Sequence, residues 1–538
     1  MPCGTIGLGQ VRIDHSKRLI QADGMNLTCL NGGWRMADGG WRLFQTDFKG
    51  GVHDHTQDAS RMLTPAIKFS YWFGQLAEGL KNSVFSIFLL FYFNQVLGVS
   101  GTLCGLALMI ATSIDAVTDP LMGSISDHWQ STRGRRHPFM IASALPLALS
   151  VYFLFNPTVT GETALFFWLL VFTVLTRLSM TLYHVPHLAL GAELTQDFDE
   201  RTSIAAFRMV FGASGWLLVA GLGFGYFFAA SDAYPNGQLN PAAYPPFAAV
   251  IALGIFVSIV VTSYGTRSLI PHLPKAAPGP LRGVRDVFVE TKEAFSNQSF
   301  RYLVASFILI SVPVGMSIAL SLYLNTFYWQ LSPGQVPLVL LAQFLSTLIG
   351  YVLAPILGRF LDKKRTLIAG VLVWALATAT PYLLSFAGLF PDLGSQGVLV
   401  LLITFALIAG MGIAQLVVAI NSMMADIADE HELTTGNRNE GIFFGAFAFM
   451  NKAATGIGSG FGGAVLDLID WPTGEHIKTA ADVSSDTLLS LAMIGGPTVA
   501  LAFIPFYGFI RHYNLDRQRL GQIQMDIKAQ RSKPAPVG

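Results

Sequence analysis

Two aspartates, Asp115 and Asp119, stand near the end of an otherwise apolar run from Leu103 to Ile125. Residues four apart on a helix share one face, so the two carboxylates are expected about 6 Å apart. At an effective dielectric constant of 20, two unit charges at that distance repel by about 3 kcal/mol. The pair therefore needs a proton, a metal cation, a basic side chain or other structural partners beside it. Carboxylates inside a membrane usually mark ion or substrate paths.

Two further groups could act beside this pair. His184 precedes Pro186, whose ring removes a backbone hydrogen bond from the helix. Its imidazole could bind a substrate or carry a proton, or it could be a packed side chain bonded to a carbonyl. His187 is interpreted as structural. Glu78 and Lys81 are spaced to meet on one helical face, so a local ion pair is the alternative to a binding role for them.

Lys452 is a lone cation in the glycine-rich, apolar run Gly441–Gly463. An unpaired charge inside a membrane is costly. We therefore expect Lys452 to lie opposite Asp115 or Asp119, with a purely structural bridge as the alternative.

Only 12% of the 538 residues are charged, whereas 52% are hydrophobic and the mean hydropathy is +0.50. A soluble chain carries about 25% charged residues, so this composition predicts a polytopic membrane protein. The net charge of +1, without a basic arm bearing interleaved aromatic residues, predicts no nucleic-acid partner. Cys3, Cys29 and Cys104 lack metal-ligand spacing, and no disulfide framework, metal-thiolate site or cofactor is expected.

Twelve membrane spans are predicted, because a spanning helix needs about 20 apolar residues. Their approximate limits are 68–98, 102–126, 138–156, 163–194, 203–230, 246–266, 300–328, 335–358, 364–387, 396–425, 440–466 and 486–511. Residues 1–61 are polar and glycine-rich, without a clear period or the features of a signal peptide. We expect them to be a poorly ordered cytoplasmic extension, unless the natural start is Met62 or another internal methionine.

Basic residues lie almost entirely in loops that follow even-numbered spans. Lys478 is the single Lys or Arg in a loop after an odd-numbered span. Because Lys and Arg concentrate in cytoplasmic loops, both termini are predicted to be cytoplasmic. The basic loop residues include Arg133, Arg135, Arg136, Arg201, Arg359, Lys363, Lys364 and Arg365.

Two motifs recur at nearly the same offset. Pro120-x-x-Gly123-x-x-x-Asp127 returns 235 residues later as Pro355-x-x-Gly358-x-x-x-Asp362, each followed by basic residues. The segment that begins at Ala192 returns at Ala425, 233 residues later. This agreement indicates a six-span unit duplicated in parallel, as in major facilitator transporters.

The predicted fold is therefore an all-α membrane protein with twelve transmembrane helices in two six-helix bundles. The bundles are residues 62–267 and 300–512. A cytoplasmic linker at 268–299 joins them, and residues 513–538 form a cytoplasmic tail.

The chain resembles the glycoside–pentoside–hexuronide cation symporter family of the major facilitator superfamily over residues 66–525. The most specific match is the helix 2 motif with the basic loop after it. The matching segments are Lys68-Phe-Ser-Tyr-Trp-Phe-Gly74, Asp115-Ala-Val-Thr-Asp-Pro-Leu-Met-Gly123, Arg133-Gly-Arg-Arg-His-Pro138, Val185-Pro186, Arg208, Asp426-Ile-Ala-Asp429, Lys452 and Tyr513-Asn-Leu-Asp-Arg-Gln-Arg-Leu520.

The resemblance implies solute uptake coupled to a cation, sodium or a proton, with Asp115 and Asp119 as the cation ligands. Sugar-carrying members grip the sugar with one aspartate in helix 1 and another in helix 4. Here Gly79 stands at the first position, beside Glu78, and His184 stands at the second. The substrate is expected to be a sugar or glycoside. Its expected contacts are Glu78, Thr181, His184 and Lys452.

Charged residues at the cytoplasmic helix ends are predicted to form a gate that breaks and reforms between conformations. They are Asp127, Arg133, Arg135, Arg136, Glu193, Arg208, Asp362, Asp426 and Arg438. Trp72, Phe73 and Phe449 could stack on a sugar or an acyl chain, although most aromatic side chains in the spans are expected to pack or to face lipid.

Other functions stay open at this point. The resemblance extends to sodium-dependent lysophospholipid symporters of vertebrates, so a lysolipid or another amphiphile is the alternative substrate. A transport-derived membrane sensor is the alternative of another class. No Gly-x-Ser-x-Gly, His-Glu-x-x-His or Walker phosphate loop occurs, and no enzyme activity is expected. We expect a monomer, in contact with lipid, in a bacterial inner membrane.

We predict that a chain beginning at Met62 is expressed, folds and transports as well as the full chain, since the segment before it carries no apolar period. Expression yield and gel filtration in detergent, followed by the transport assay, measure this. Aggregation of the shortened chain would show that the extension packs on the membrane helices.

Overall fold

The computed structural model describes residues 63–532 except 196, 274–282, 437–439 and 475, together with five short strands near the N-terminus. Strands β1 (Arg12–Asp14), β2 (Leu19–Ala22) and β3 (Met25–Thr28) form an antiparallel sheet in that order, and β4 (Trp34–Ala37) pairs with β5 (Gly40–Leu43).

The sequence analysis missed a hairpin signal in this extension. Asp-Gly stands between β2 and β3 and again between β4 and β5, and this dipeptide is favoured in two-residue hairpin loops. The other residues of 1–61 lie outside the described part of the chain, so the expected lack of order there stays a prediction.

Six long helices form the first half of the membrane unit. They are α1 (Pro65–Val84), α2 (Gly101–His128), α3 (His137–Leu154), α4 (Glu162–Glu193), α5 (Phe198–Leu222) and α6 (Tyr244–Gly265). Single π-helical turns follow α1 at Phe85–Leu89 and Tyr92–Val96 and follow α5 at Gly223–Phe227. Short 3-10 turns lie at Gly237–Leu239, Pro241–Ala243 and Arg267–His272.

A short helix, α7 (Val284–Ala294), occupies the linker and precedes the second half. The second half contains α8 (Gln298–Tyr323), α9 (Val336–Phe360), α10 (Lys363–Phe386), α11 (Gln396–Thr435) and α12 (Glu440–Leu468). Its last span is built from α13 (Ser485–Met493), α14 (Val499–Leu501) and α15 (Phe503–Ile510), and the tail forms α16 (Arg517–Ser532). A 3-10 turn lies at Ala480–Asp482, and π turns lie at Leu324–Tyr328 and Ile494–Thr498.

Polar caps fix where several helices begin. The side chains of Thr64, Asp197, Asn297 and Asp362 each accept a hydrogen bond from a backbone N–H in the first turn of the following helix. Such a cap satisfies one of the donors that a helix start leaves free.

Ten helices in the described part of the chain are long and apolar enough to cross a membrane. The other two predicted spans correspond to α1 and α12. Both are helical, but α1 carries Glu78 and Lys81, and α12 carries Lys452 among many glycines. Glu78, Lys81 and Lys452 lower the hydropathy of α1 and α12, and the sequence analysis considered all three for function.

The two ends of the membrane unit differ in charge. Helices α2 and α12 run antiparallel, because the start of α2 at Ser100 contacts Asp467 at the end of α12. Asp127, near the end of α2, therefore lies at the other end of the unit, where α12 begins. Helix α11 ends just before α12, and Asp426 in its last turns is bonded to Lys363 at that same end. We call this end the basic face and the end at Ser100 the opposite face. The repeated motifs thus lie on one face, as the duplication predicts.

One carboxylate ties the two halves together at the opposite face. Asp467 accepts hydrogen bonds from the backbone N–H groups of Gly101 at 2.7 Å and Thr102 at 2.8 Å, and from the Ser100 hydroxyl at 2.5 Å. We call this set the Asp467 latch. A carboxylate at a helix N-terminus satisfies free donors and complements the helix dipole. A Cβ at Gly101 would lie 2.3 Å from the carbonyl oxygen of Gly463, so only glycine permits this approach.

An aromatic cluster closes the same face from both halves. The Phe91 ring lies 5.0 Å from Tyr323 and 6.3 Å from Phe327, and Trp471 packs edge-on against both tyrosine and phenylalanine. We call these four residues the aromatic seal. The Tyr323 hydroxyl also donates to Asn94 Oδ1 at 2.8 Å, on the other half. The structure is therefore a conformation closed at the opposite face.

We predict that Asp467→Ala makes the opposite face open more often. The substitution removes hydrogen bonds to a charged group, each of which contributes about 1.5–3 kcal/mol. Cys104, fully buried on α2 just below the latch, reports the opening. Its alkylation by N-ethylmaleimide, measured with Cys3 and Cys29 replaced by serine, should speed up about tenfold or more. Asp470→Asn, an exposed carboxylate nearby, is the control, and equal rates in native and Asp467→Ala protein would contradict the latch.

Candidate functional site

A cavity of about 350 Å³ lies between the two halves. This volume is at the low end of the range for small-molecule sites. Helices α1, α2 and α4 line it from the first half, and α8 and α12 line it from the second. Its polar lining residues are Glu78, Lys81, Asn82, Ser86, Thr112, Asp115, Asp119, Arg177, Thr181, His184, Asn451, Lys452, Thr455 and Ser459.

The carboxylates of Asp115 and Asp119 meet two cations in this cavity. The Lys452 ammonium lies 3.0 Å from Asp115 Oδ2 and also contacts Asp119 Oδ2. The Arg177 guanidinium lies 3.1 Å from Asp115 Oδ2. Basic side chains are thus the positive partners of the pair in the structure. Lys452 was expected opposite Asp115 or Asp119, and it contacts both.

Thr181 joins the same cluster. Its hydroxyl lies 3.0 Å from Asp115 Oδ1 and 2.7 Å from Asp119 Oδ1. A hydroxyl has one hydrogen and donates to one of them at a time. Both Oδ2 atoms therefore have a cationic partner from α4 or α12, whereas the two Oδ1 atoms share the one hydrogen of Thr181.

Arg177 is the site residue that the sequence analysis missed. A signal for it exists, since Arg177, Thr181 and His184 follow the i, i+4, i+7 spacing of one helical face. An arginine in an otherwise apolar span on the face of two expected site residues belongs to the same site. The sequence analysis did not follow that face of α4 back to Arg177.

Glu78 and His184 meet across α1 and α4. Glu78 Oε2 lies 3.1 Å from His184 Nδ1. This contact is electrostatic, not a straight hydrogen bond, because no partner of Nδ1 meets hydrogen-bond geometry. Asn82 Nδ2 donates to Glu78 Oε1 at 3.3 Å, and Gln75 also donates to Glu78. His184 stands at one of the two positions where the resemblance implies a substrate-binding carboxylate, and Glu78 stands beside the other, Gly79.

The expected local ion pair between Glu78 and Lys81 is replaced by a longer chain of contacts. The buried Lys81 ammonium donates to Asn82 Oδ1 at 2.8 Å and lies 5.5 Å from the centre of the Phe85 ring. Asn82 therefore connects the two charged groups through its amide.

Packing explains why glycine occupies position 79. A Cβ on Gly79 would lie 2.1 Å from the carbonyl oxygen of Gly212 and 3.2 Å from the Cα atom of Gly215. Helix α5 thus leaves no room for a side chain there. The carboxylate of α1 is instead on the preceding residue, Glu78, which faces the cavity.

His187 is structural, as the sequence analysis interpreted it. It is fully buried between Tyr71 and Tyr183, and its Nε2 lies 3.0 Å from the backbone carbonyl oxygen of Tyr71. The three aromatic candidates do not line the cavity. Trp72 stacks on Phe207, while Phe73 and Phe449 pack against other phenylalanines.

The charged residues of the expected gate form separate groups within each half at the basic face. Arg136 lies 3.0 Å from Asp127 and contacts Glu193, which Arg135 also contacts. In the second half, Lys363 bonds Asp426 at 2.6 Å, and Asp362 caps α10.

Three members of the expected gate stand apart from these bonds. Arg133 is exposed, and Arg208 lies beside the Tyr71 hydroxyl. Arg438 lies outside the described residues. A gate between the halves at this face stays a prediction.

A sodium ion at the carboxylate pair would have to displace Lys452. No group of three or more His, Cys, Asp or Glu side chains that could hold a metal ion occurs in the part of the chain that the structure describes. The sodium ligands expected at Asp115 and Asp119 are thus fitted, in this conformation, to an ammonium group.

Comparison with known proteins identifies relatives of the whole membrane unit. The family model described as "MFS/sugar transport protein" matches residues 70–517. An uncharacterised symporter of Synechocystis sp. is 25% identical over 471 residues, which cover 74% of this chain and 85% of that protein. The isoprimeverose transporter of Lactiplantibacillus pentosus is 23% identical, over 78% of this chain and 85% of its own.

Solved structures support the fold. The nucleoside transporter NupG superposes with a TM-score of 0.56 at 16% identity, over 82% of this chain and 99% of its own. The predicted major facilitator fold is confirmed, as is an integral membrane protein with several spans. The matched proteins are transporters, so the expectation of a protein that is not an enzyme is also confirmed.

We predict that Lys452→Met destabilises the protein by about 2 kcal/mol. The substitution leaves Asp119 without a cation among its described partners, and breaking a buried ion pair costs about 3–5 kcal/mol, less when the groups are partly exposed as here. Adding Asp119→Asn in the same chain should restore most of the loss. Thermal unfolding of the purified proteins measures this, with the exposed Lys528→Met as the control. A double variant no more stable than the single one would contradict the pairing.

Proposed function

This chain belongs to the MFS/sugar transport protein family, and we propose that this secondary transporter carries a sugar or glycoside in symport with a cation, sodium or a proton, by alternating access. The observation that carries the proposal is the polar cavity between the halves. Its lining combines charged groups with hydroxyl and amide groups from both halves, and sugars present many hydroxyl groups that pair with such side chains. Phe85, Leu90, Leu108, Met180 and Ile318 supply apolar surface in the same cavity, so a lysolipid belongs in the ligand screen as the competing substrate.

The name of one relative supports the same substrate class. One of them is named as an isoprimeverose transporter, and isoprimeverose is therefore the first sugar to test. Glu78, Thr181, His184 and Lys452 are the proposed substrate contacts, since all four line the cavity.

The position of Lys452 supports coupling to a cation. Lys452 belongs to the second half, whereas Asp115 and Asp119 belong to the first. Opening the opposite face requires α2 and α12 to separate, and that movement withdraws the ammonium from both carboxylates. Arg177 would remain as the ion-pair partner of Asp115, but Asp119 would lose its cation. The two carboxylates, which repel each other by about 3 kcal/mol, would then favour a cation in place of Lys452. Cation binding would thus accompany the conformation that is open at the opposite face. A bound cation would increase the affinity for the substrate, and a bound substrate would increase the affinity for the cation by the same factor.

The proposed orientation places the basic face in the cytoplasm. Lys and Arg concentrate in the cytoplasmic loops of bacterial inner-membrane proteins, and the face that is closed in the described conformation is then the outer one. The carrier would take up its substrate as the opposite face closes.

A ligand screen tests the substrate class. Only a bound ligand shifts the folded population, so isoprimeverose should raise the thermal unfolding midpoint of the purified protein. The screen compares it with other glycosides and with a lysophosphatidylcholine, each with and without sodium. Stabilisation by the lysolipid alone would overturn the sugar proposal.

We predict that Asp115→Asn and Asp119→Asn each abolish uphill accumulation of isoprimeverose in proteoliposomes. Exchange across the membrane should survive in part, because exchange does not require the empty carrier to return. The exposed Asp392→Asn is the matched control. Accumulation at the native level in both variants would show that the pair is structural.

Measurements of sugar binding to the purified native protein distinguish the two coupling ions. Sodium coupling predicts that the dissociation constant for the sugar falls when sodium is added at constant pH. Proton coupling at the aspartate pair predicts no sodium effect and a dissociation constant that rises with pH in His184→Gln as well as in native protein.

A further inference from the structure

We propose that Glu78 and His184 form a proton-binding site separate from the Asp115–Asp119 pair, so that the substrate cavity gains a proton on the imidazole of His184. The proposal depends on the proposed function only in taking this cavity as the substrate site. It holds whichever cation the aspartate pair binds.

The first argument is the placement of the two groups. Glu78 and His184 come from different helices, lie 3.1 Å apart and keep side-chain exposures of 23% and 22%. Both line the cavity. They are close enough for an ion pair and accessible to water in the cavity.

The second argument is that the structure fixes the carboxylate. Gly79 packs against the backbone of α5, which sets the rotation of α1 at this level. Gln75 and Asn82, one turn before and after, both donate to the Glu78 carboxylate. Two polar neighbours and the packing of Gly79 thus hold Glu78 toward His184.

The third argument concerns the hydrogens of the imidazole. A nitrogen lone pair 3.1 Å from a carboxylate oxygen would be repelled, so Nδ1 carries the hydrogen. In the described part of the chain, no side chain or backbone group bonds Nε2 of His184. A proton from cavity water can therefore add to the Nε2 lone pair and form an imidazolium paired with Glu78. On release, the proton returns from Nε2 to water.

The aspartate pair differs in its partners. Each carboxylate oxygen of Asp115 and Asp119 already faces Lys452, Arg177 or Thr181. By contrast, no Lys or Arg in the described residues lies within ion-pair distance of Glu78. A proton added at His184 is therefore better compensated than one added at the aspartate pair, because the neighbouring Glu78 carboxylate has no Lys or Arg partner among the described residues.

The surroundings of the pair contain both signs of charge. The titratable groups that face it are Lys81 on α1, Arg177, Tyr183 and His187 on α4, Asp115 and Asp119 on α2 and Lys452 on α12, and Arg208 on α5 acts on His187. Three carboxylates and three fixed cations line the described cavity, so its formal charge is zero while His184 is neutral. Protonation makes it positive by one.

Protonation changes what the site offers a sugar. Neutral His184 presents a lone pair at Nε2, whereas the imidazolium presents a charged N–H donor. A hydrogen bond from a charged donor is about twice as strong as one between neutral groups. A sugar hydroxyl that accepts this bond increases proton binding, and the proton increases sugar binding by the same factor. Substrate affinity should therefore weaken as pH rises and the imidazolium is lost.

The proton itself is the probe in the test. Purified full-length protein is titrated between pH 8 and pH 5 in unbuffered detergent solution, without sugar. His184→Gln should bind about one proton fewer per chain than native protein, because histidine is the side chain whose unperturbed charge change falls in this range. His512→Gln, an exposed histidine at the basic face, calibrates the loss of one ordinary histidine. Glu78→Gln should weaken this proton uptake, because the imidazolium loses the carboxylate that pairs with it.

Two outcomes would overturn the proposal. One is a His184→Gln curve that superimposes on the native curve while His512→Gln loses its proton. The other is loss of the proton in Asp119→Asn, which would assign it to the aspartate pair. His184→Asn repeats the measurement if the glutamine variant aggregates. Failure of isoprimeverose transport would leave this titration unchanged, so the two proposals fail separately.

Discussion

The interaction on which the membrane unit depends is the contact of two carboxylates on α2 with cations from two other helices. Arg177 on α4 holds Asp115 within the first half, and Lys452 on α12 reaches both aspartates from the second half. Arg177 therefore stays beside Asp115 as long as the first half moves as a rigid body. The contact of Lys452 depends on how the two halves are placed relative to each other. The electrostatic energy of the Asp115–Asp119 site therefore changes when α12 moves relative to α2.

The sequence predicted much of this arrangement. The duplicated motifs and the apolar runs indicated the twelve-helix fold, and the cost of an unpaired charge in a membrane placed Lys452 opposite the aspartates. Those arguments use spacing and charge along single helices. Arg177 was missed, although its spacing to Thr181 shows that it shares the face of α4 that lines the cavity.

Contacts between helices were harder to predict, because they depend on how backbones pack. The Glu78–Lys81 spacing suggested an ion pair, but the rotation of α1 directs Glu78 to His184 and leaves Asn82 to bond Lys81. The reason lies at Gly79, where the backbone of α5 fills the space of a side chain. The Asp467 latch was likewise not predicted, since nothing in the sequence of α12 shows that its end meets the start of α2.

The aromatic seal makes the balance between conformations sensitive to temperature. Opening the opposite face would separate Phe91 from Tyr323 and Phe327 and would bring apolar ring surface into contact with water. Such hydration raises the heat capacity of the open state, and the apolar contribution to closure weakens on cooling. Exposure of the polar groups of the Asp467 latch changes the heat capacity in the opposite sense. At low temperature closure therefore depends more on one carboxylate, and the resting population of the carrier should shift toward the open opposite face.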